Sequence, residues 1–420
     1  MSTLTLAARP RRPELSGRTA FALLSSAILS LLASSSAPTP LYAIYQRQWG
    51  FSAATITVIF GVYAVAVLAS LLLVGSHSDH IGRRPVLVAA LSVQTLVMVL
   101  FAFAGNLDVL LLARVLQGLA TGAALGAIGA GLVDLHPVRG ALANTASAMA
   151  GTATGALGSA LLVQFLPSPT KLIYLVLAVV FATQAAGALA LRETSPRRPG
   201  ALAALKPTLA IPPRARGALL IAAPAIAAVW AVGGFYASLG PSLAAVITGS
   251  HSTLLGGVSL AVLAGTAALT ILAFHRVAPH RFALIGTLLV IVGAGTVLLS
   301  LSARSTPLFF LGTVFSGAGF AGGFQGGLRT IVPLAQPGER AGLLAVVYVI
   351  CYLAFGLPAI GAGFLVVHTT LTQTAHLFGA AVMVMAASTA AGMVITERRR
   401  SRLPSAGVLC QAPLAASDVA

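Results

Sequence analysis

Twelve stretches of about twenty or more predominantly apolar residues recur along the 420-residue chain, separated by short charged or Pro/Gly-rich breaks. A bilayer core takes about 20 apolar residues per helix, and lipid obliges a spanning segment to satisfy its backbone hydrogen bonds internally. The runs fall at about 18–45, 53–74, 85–105, 108–134, 142–166, 170–191, 216–246, 254–274, 282–302, 307–333, 341–367 and 371–396. Only 8% of residues are charged and the mean hydropathy is +0.96, against roughly 25% charged residues in soluble domains. The reading is an all-α membrane protein with twelve transmembrane helices. The first run follows a basic stretch (Arg9, Arg11, Arg12, Arg18) and is too long for the core of a cleaved signal peptide, so it is expected to be retained.

An even number of spans places both termini on one side. Twenty-one of the 25 Lys/Arg residues then lie on that side; Arg47, Lys171 and Arg304 fall in opposite-side loops, and Arg114 lies inside a helix. By the positive-inside rule both termini are cytoplasmic. A net charge of +17 raises nucleic-acid binding, but these basic residues lie in short turns rather than on one solvated face, which excludes it. Cys351 lies in an apolar run and Cys410 in a polar tail, so no disulfide is expected.

The one long polar connection, 192–216, divides the chain into an N-terminal six-helix half (1–191, with a tail at 1–17) and a C-terminal half (217–396) followed by a tail at 397–420. At a shift of 201 residues Pro40 falls on Pro241, Gly118 on Gly319, Gly122 on Gly323, Gly126 on Gly327, Arg139 on Arg340 and Gly155 on Gly356. Six intervening helices give the copies the same orientation. This predicts a parallel pseudo-two-fold repeat, with a substrate site near the midplane between halves.

Between spans two and three lies Gly75-Ser-His-Ser-Asp79-His-Ile-Gly82-Arg83-Arg84. It resembles the loop-2/3 signature of the major facilitator superfamily, G-x-x-x-D-x-x-G-R-[KR]. Span four carries Arg114-Val-Leu-Gln117-Gly118, similar to that family's helix-4 element R-x-x-Q-G, which the resemblance links to proton coupling. Span five carries Gly151-Thr-Ala-Thr-Gly155-Ala-Leu-Gly158-Ser159, similar to the antiporter element G-x-x-x-G-P-x-x-G-G but with Ala156 for proline and Ser159 for the last glycine. Small residues at this spacing also simply permit close helix packing.

The resemblance implies a cytoplasmic gating network of Gly75, Asp79, Gly82, Arg83, Arg84, Asp134 and Arg139, with Asp134 pairing with Arg83 or Arg139. Arg114, read as mid-helix, is costly enough in lipid that it must face the bundle interior or a water-filled cavity. It either senses proton or substrate, or braces a neighbouring helix through its carbonyls. Further candidates for the pathway are Tyr42 beside the Pro38-Thr-Pro40 break, Gln94, Trp230, Tyr236, Gln325, Arg329, Tyr348 and Tyr352. Packing competes at the tyrosines, an interfacial anchor at Tyr42, and snorkelling at Arg329. No carboxylate or histidine sits in the middle of a span, which argues against a cavity that strongly selects cations.

There is no G-x-x-x-x-G-K-[ST] element, no metal-ligand spacing and no nucleophile–base–acid cluster. The expectation is therefore not an enzyme and not an ATP-driven pump. It is a plasma-membrane secondary transporter with no cofactor, working as a monomer in the lipid bilayer on a small-molecule substrate. Proton-coupled efflux of drugs or metabolites leads. Uptake of a small organic solute, anionic or sugar-like, stands as the alternative, as does a non-transporting scaffold or sensor.

Overall fold

The computed structural model describes residues 14–74, 78–195, 209–250 and 252–402, without the side chains of residues 79 and 399–402. Every regular element among them is helical. Eleven helical segments are long and apolar enough to cross a bilayer, and the shorter apolar helix Leu172–Ala188 makes the twelfth crossing. The chain is thus a multi-pass membrane protein. Gly75, the side chain of Asp79, most of the linker and both extreme tails lie outside the described residues.

The first span is two helices, α1 (Gly17–Ser36) and α2 (Tyr42–Trp49), joined through a 3₁₀ turn at Thr39–Leu41. Then come α3 (Ala53–Val74), the short α4 (Ser78–Ile81), α5 (Arg83–Ala102), α6 (Leu107–Leu135), α7 (Pro137–Phe165) and α8 (Leu172–Ala188). The seventh span is again broken, into α9 (Pro213–Ser238) and α10 (Gly240–Thr248). It is followed by α11 (Thr253–Ala273), α12 (Pro279–Ala303), α13 (Thr306–Phe320), α14 (Gly327–Ile331), α15 (Arg340–His368) and α16 (Leu371–Arg402). The sequence marks a break in span one at Pro38-Thr-Pro40 but none in span seven. Each breaks because proline has no N–H and clashes with the preceding turn, at Pro38 and Pro40 in one and at Pro241 in the other. Pro40 and Pro241 are partners in the 201-residue repeat, so the breaks are a feature of the repeat itself.

Helix packing obeys the same repeat. Helix α1 packs on α7, and its counterpart α9 packs on α15. In the first pair a Cβ on Gly155 would meet the Ala33 carbonyl at 2.1 Å; in the second a Cβ on Gly234 would meet the Phe355 carbonyl at 2.1 Å. The glycine has changed sides, but the backbones approach at equivalent points. The two sets of six spans join through α3 on α15 and through α7 on α11, which the repeat exchanges.

Several contacts between the sets gather at the face opposite the tails. A Cβ on Gly363 would meet Thr57 Oγ1 at 2.0 Å, and one on Gly257 would meet Ala160 Cβ at 2.4 Å. Thr253 Oγ1 donates to Gln164 Oε1 at 3.4 Å. Thr39 Oγ1 donates to the Ala237 carbonyl at 3.1 Å. That carbonyl lies four residues before Pro241, so its helical donor is missing, and a hydroxyl from the other half supplies one.

Span ten departs from the repeat. Its counterpart α6 runs unbroken, whereas span ten passes through a π-helical turn at Ala321–Gly326. The turn presses Gly322 against α12, where a Cβ on Gly286 would meet Gly322 Cα at 2.4 Å.

Leucine at Gly155 should force α1 from α7 and lower stability by about 1–3 kcal/mol, the usual cost of overpacking. Gly158, grouped with Gly151 and Gly155 by sequence, has nothing within 4 Å of a would-be Cβ, so Gly158→Leu should be nearly neutral. Thermal unfolding of the two purified variants in detergent separates these outcomes.

Candidate functional site

The prolines of the first span free carbonyls as well as bending the helix. Ser34 O has lost its donor because residue 38 is proline, and Ser35 O and Ala37 O lose theirs where α1 ends and the chain tightens into the 3₁₀ turn. Buried carbonyls must find other partners. Gln117 Nε2 donates to Ser34 O at 3.0 Å, Arg114 to Ser35 O at 3.2 Å, and Ser159 Oγ to Ala37 O at 2.6 Å. The break in α1 and the Arg114-x-x-Gln117 pair on α6 are thus two sides of one arrangement.

Arg114 is completely buried. It also donates to Gln117 Oε1 at 2.7 Å and to the Tyr42 hydroxyl. Its guanidinium carbon lies 5.7, 5.4 and 5.6 Å from the ring centres of Tyr42, Tyr63 and Phe101. A guanidinium in a spanning helix costs about 2.5–3.5 kcal/mol on insertion scales. Hydrogen bonds to a charged group are worth about 1.5–3 kcal/mol each, and cation–π contacts about 0.5–2, so three bonds and three rings offset the burial without an acid. Gln94 extends the network, its Nε2 donating to Gln117 O at 3.1 Å and Thr121 Oγ1 at 2.7 Å. Arg114 Nε and Gln94 Oε1 are buried without a hydrogen-bond partner. Arg114 is not at mid-helix as expected. It stands seven residues into α6, about 10 Å along the axis, nearer the face opposite the tails.

A second cluster lies at the tail-side ends of the same spans. Gly82 has φ +103° and supplies no side-chain cap, so the first amides of α5 would be left open. Glu193, just beyond α8, fills the gap: Oε1 accepts from Arg83 N at 2.9 Å and Oε2 from Arg84 N at 3.1 Å. Glu193 Oε1 also accepts from Ser195 N at 3.1 Å. The φ of +103° favours glycine at Gly82, and a Cβ there would stand 2.6 Å from Glu193 Oε2 and displace the capping carboxylate. The Arg83 guanidinium pairs with Asp134 at the end of α6. These groups border a cavity of about 870 Å³ between α1, α5, α6 and residues 191–195.

Sequence alone missed Glu193, because a carboxylate in a linker carries no local sign that it caps a helix about 110 residues earlier. The described partners of this network all belong to the first six spans. It braces α5 against α6 and the post-α8 segment. Arg139 stands exposed at the start of α7, its backbone N–H donating to His136 Nδ1 at 3.4 Å, and Asp134 pairs with Arg83 instead.

The sequence model described as Major Facilitator Superfamily matches residues 23–357. The chain belongs to the Major Facilitator Superfamily. Among curated proteins none matches. Two solved structures are similar in fold. The first, a crystal structure of a mutant of the nucleoside transporter NupG, has a TM-score of 0.67 at 14% identity, over 90% of this chain and 100% of that one. The other, a crystal structure of nucleoside transporter NupG, has a TM-score of 0.64 at 15% identity, over 90% and 99%. At such identities the likeness shows the fold alone.

Within this superfamily fold the second half carries no counterpart of Arg114; position 315, its repeat partner, is Phe315. Its centre is aromatic. Trp230 on α9 lies 5.3 Å from Tyr352 and 5.7 Å from Phe355 on α15, 5.4 Å from Phe324 in the π turn and 6.1 Å from Phe320. Tyr236 is not part of this group. It stacks on Phe309 and shares a 2.9 Å hydrogen bond with Thr313, inside the second half. Gln325 is half-buried in the π turn, and Tyr348 half-buried one turn before Tyr352. Arg329 donates to Val277 O at 2.9 Å, which fastens α14 to the α11–α12 loop. Gly118 packs α6 on α3, where a Cβ would meet Ala66 Cβ at 2.6 Å; Gly151 packs α7 on α1, where one would meet Leu29 O at 2.2 Å.

Loss of the Glu193 cap should cost about 1 kcal/mol, as helix N-caps generally do. In Glu193→Ala the amides of Arg83 and Arg84 should exchange hydrogen faster than in the parent, read by mass spectrometry on a peptide spanning α5, while those of α6 stay unchanged.

Proposed function

We propose that the chain is a secondary active transporter of the plasma membrane that moves a small organic molecule by alternating access, exporting it at the expense of the proton gradient. The carrying observation is the joint between the two sets of six spans. Thr39, Thr57, Gly257 and Gly363 hold them together at the face opposite the tails. With the tails cytoplasmic, as the 21 basic residues on that side argue, the arrangement is one closed to the outside. Rocking about the α3–α15 and α7–α11 seams would then expose the interior alternately to each side.

Arg114 is the charge buried within a span of the first half. Three of its five N–H donors are committed to Ser35, Gln117 and Tyr42 and its face is met by three rings, which favours a neutral solute over an anionic one. The role assigned to it is to sense the proton or the substrate through its fixed charge, so that movement on the gradient depends on it. The energy source is the gradient, since no nucleotide-binding element occurs, and the working unit is the monomer. A second reading, uptake of a small neutral solute, draws on the substrate class in the names of the two solved neighbours, nucleosides.

Two experiments test this. In liposomes carrying the purified protein, an imposed pH gradient should drive solute movement, and Arg114→Ala should slow it at least about ten-fold with insertion unchanged, a loss of about 1.4 kcal/mol or more in barrier terms. Movement at the parental rate in Arg114→Ala would remove its assigned role, and a reversed dependence on the gradient would favour uptake. Thr39→Val removes the donor to Ala237 O. Spin labels at the exposed positions Gln48 and Val246, on α2 and α10, should then report a larger population of long distances than in the parent. An unchanged distribution would mean that this bond does not hold the outer face closed.

A further inference from the structure

The aromatic centre of the second half is over-equipped for packing. Trp230, Phe320, Phe324, Tyr352 and Phe355 come from α9, span ten and α15, and Phe60 of α3 joins them at 4.7 Å from Phe355. The rings therefore lie on the seam between the two sets of spans, where α3 meets α15. Tyr352 stands twelve residues into the 29-residue α15, and Phe324 eighteen residues into the 29-residue span ten. Both are near mid-bilayer.

Three details set this group apart from an ordinary core. The Trp230 Nε1–H is buried without a hydrogen-bond partner, although buried indole donors nearly always have one. None of the four rings around Trp230 lies parallel to it, the interplanar angles being 43° to 78°. The indole is thus met by edges and tilted faces, with no stacked neighbour among them. Finally, Phe324 is carried on the π turn that interrupts span ten, and π turns inside helices occur frequently at functional sites. The repeat-related stretch of α6 has no such turn, so the distortion is particular to this location.

A ligand that satisfies these features presents a flat ring to the indole and a hydrogen-bond acceptor at its edge. Arg114 holds its partners within the first half, and Arg329, five residues beyond Phe324 in span ten, donates to Val277 O in the α11–α12 loop. We propose that Trp230, Phe324, Tyr352 and Phe355 form the substrate subsite, and that it takes small, neutral, planar heteroaromatic molecules by stacking on the indole and accepting from its N–H. The assignment of substrate rests on the transport reading above; the binding site itself does not.

The chain has two tryptophans, Trp49 and Trp230, so Trp49→Phe leaves the indole of the subsite as sole reporter. In nanodiscs, its emission should be quenched saturably by caffeine, a flat neutral molecule with acceptors and no donor. Methyl glucoside, which is neutral but not planar, should leave it unchanged. Phe324→Leu in the same background should weaken caffeine binding at least ten-fold, while Tyr236→Phe, outside the group, should not. Radiolabelled caffeine binding to Trp230→Phe, which keeps a ring but loses the N–H, should fall several-fold. If Phe324→Leu fails to fold, judged by its thermal unfolding, the Trp230→Phe measurement decides alone. Absence of saturable quenching by caffeine, or quenching indifferent to both replacements, overturns the subsite. Saturable binding with no flux of any solute in liposomes would retain the binding site and remove the transport reading. Flux of solutes that leave Trp230 emission untouched would retain transport and overturn the subsite.

Discussion

The structure depends on what happens to carbonyl groups that proline deprives of their donors. In water such groups would be solvated; in a bilayer they must be met by protein. The first span frees carbonyls at residues 34, 35 and 37, and a glutamine, an arginine and a serine from α6 and α7 meet them. The seventh span frees one at Ala237, and a threonine from the opposite half meets it. The first set holds the N-terminal half together and buries Arg114. The other joins the halves. A buried arginine without an acid thus has a structural logic: it arrives with several donors in a part of the molecule rich in acceptors.

Symmetry explains the scaffold, and its failure points to the function. The repeat reproduces the span breaks, the α1–α7 and α9–α15 contacts and the two seams. It does not reproduce Arg114, the π turn or the ring cluster around Trp230. A scaffold that must rock between two states gains from matched seams, since each opening at one face is balanced by a closing at the other. Specialised chemistry has no such need for balance, and it has gone one way in each half: polar and cationic in the first, aromatic in the second.

Much of the fold was legible from the chain. Span number, the sidedness of the basic residues and the repeat all follow from hydropathy and spacing, because lipid leaves few alternatives to long apolar helices. Arg114 and Gln117 were legible as a pair sharing a face, and Pro38 and Pro40 as a break. Their mutual dependence was not, since nothing local marks which carbonyls α6 will reach. Asp134 was legible as a partner for Arg83. Glu193 was not, because a cap supplied from about 110 residues away leaves no periodic trace. Trp230 and Tyr352 could be singled out one at a time; that Phe320, Phe324 and Phe355 gather round them depends on a π turn that shifts span ten out of helical register, and apolar sequence around Gly322 and Gly323 does not announce it.

Glu193 has one more consequence. The connection between the halves nominally begins where α8 ends, at residue 188. By fastening Glu193 and Ser195 to the start of α5, the first half takes up the opening residues of that connection as part of its own body. The first half as a folded body therefore runs on to residue 195, past the end of α8 at residue 188. The carboxylate that caps a helix also sets where the first half ends.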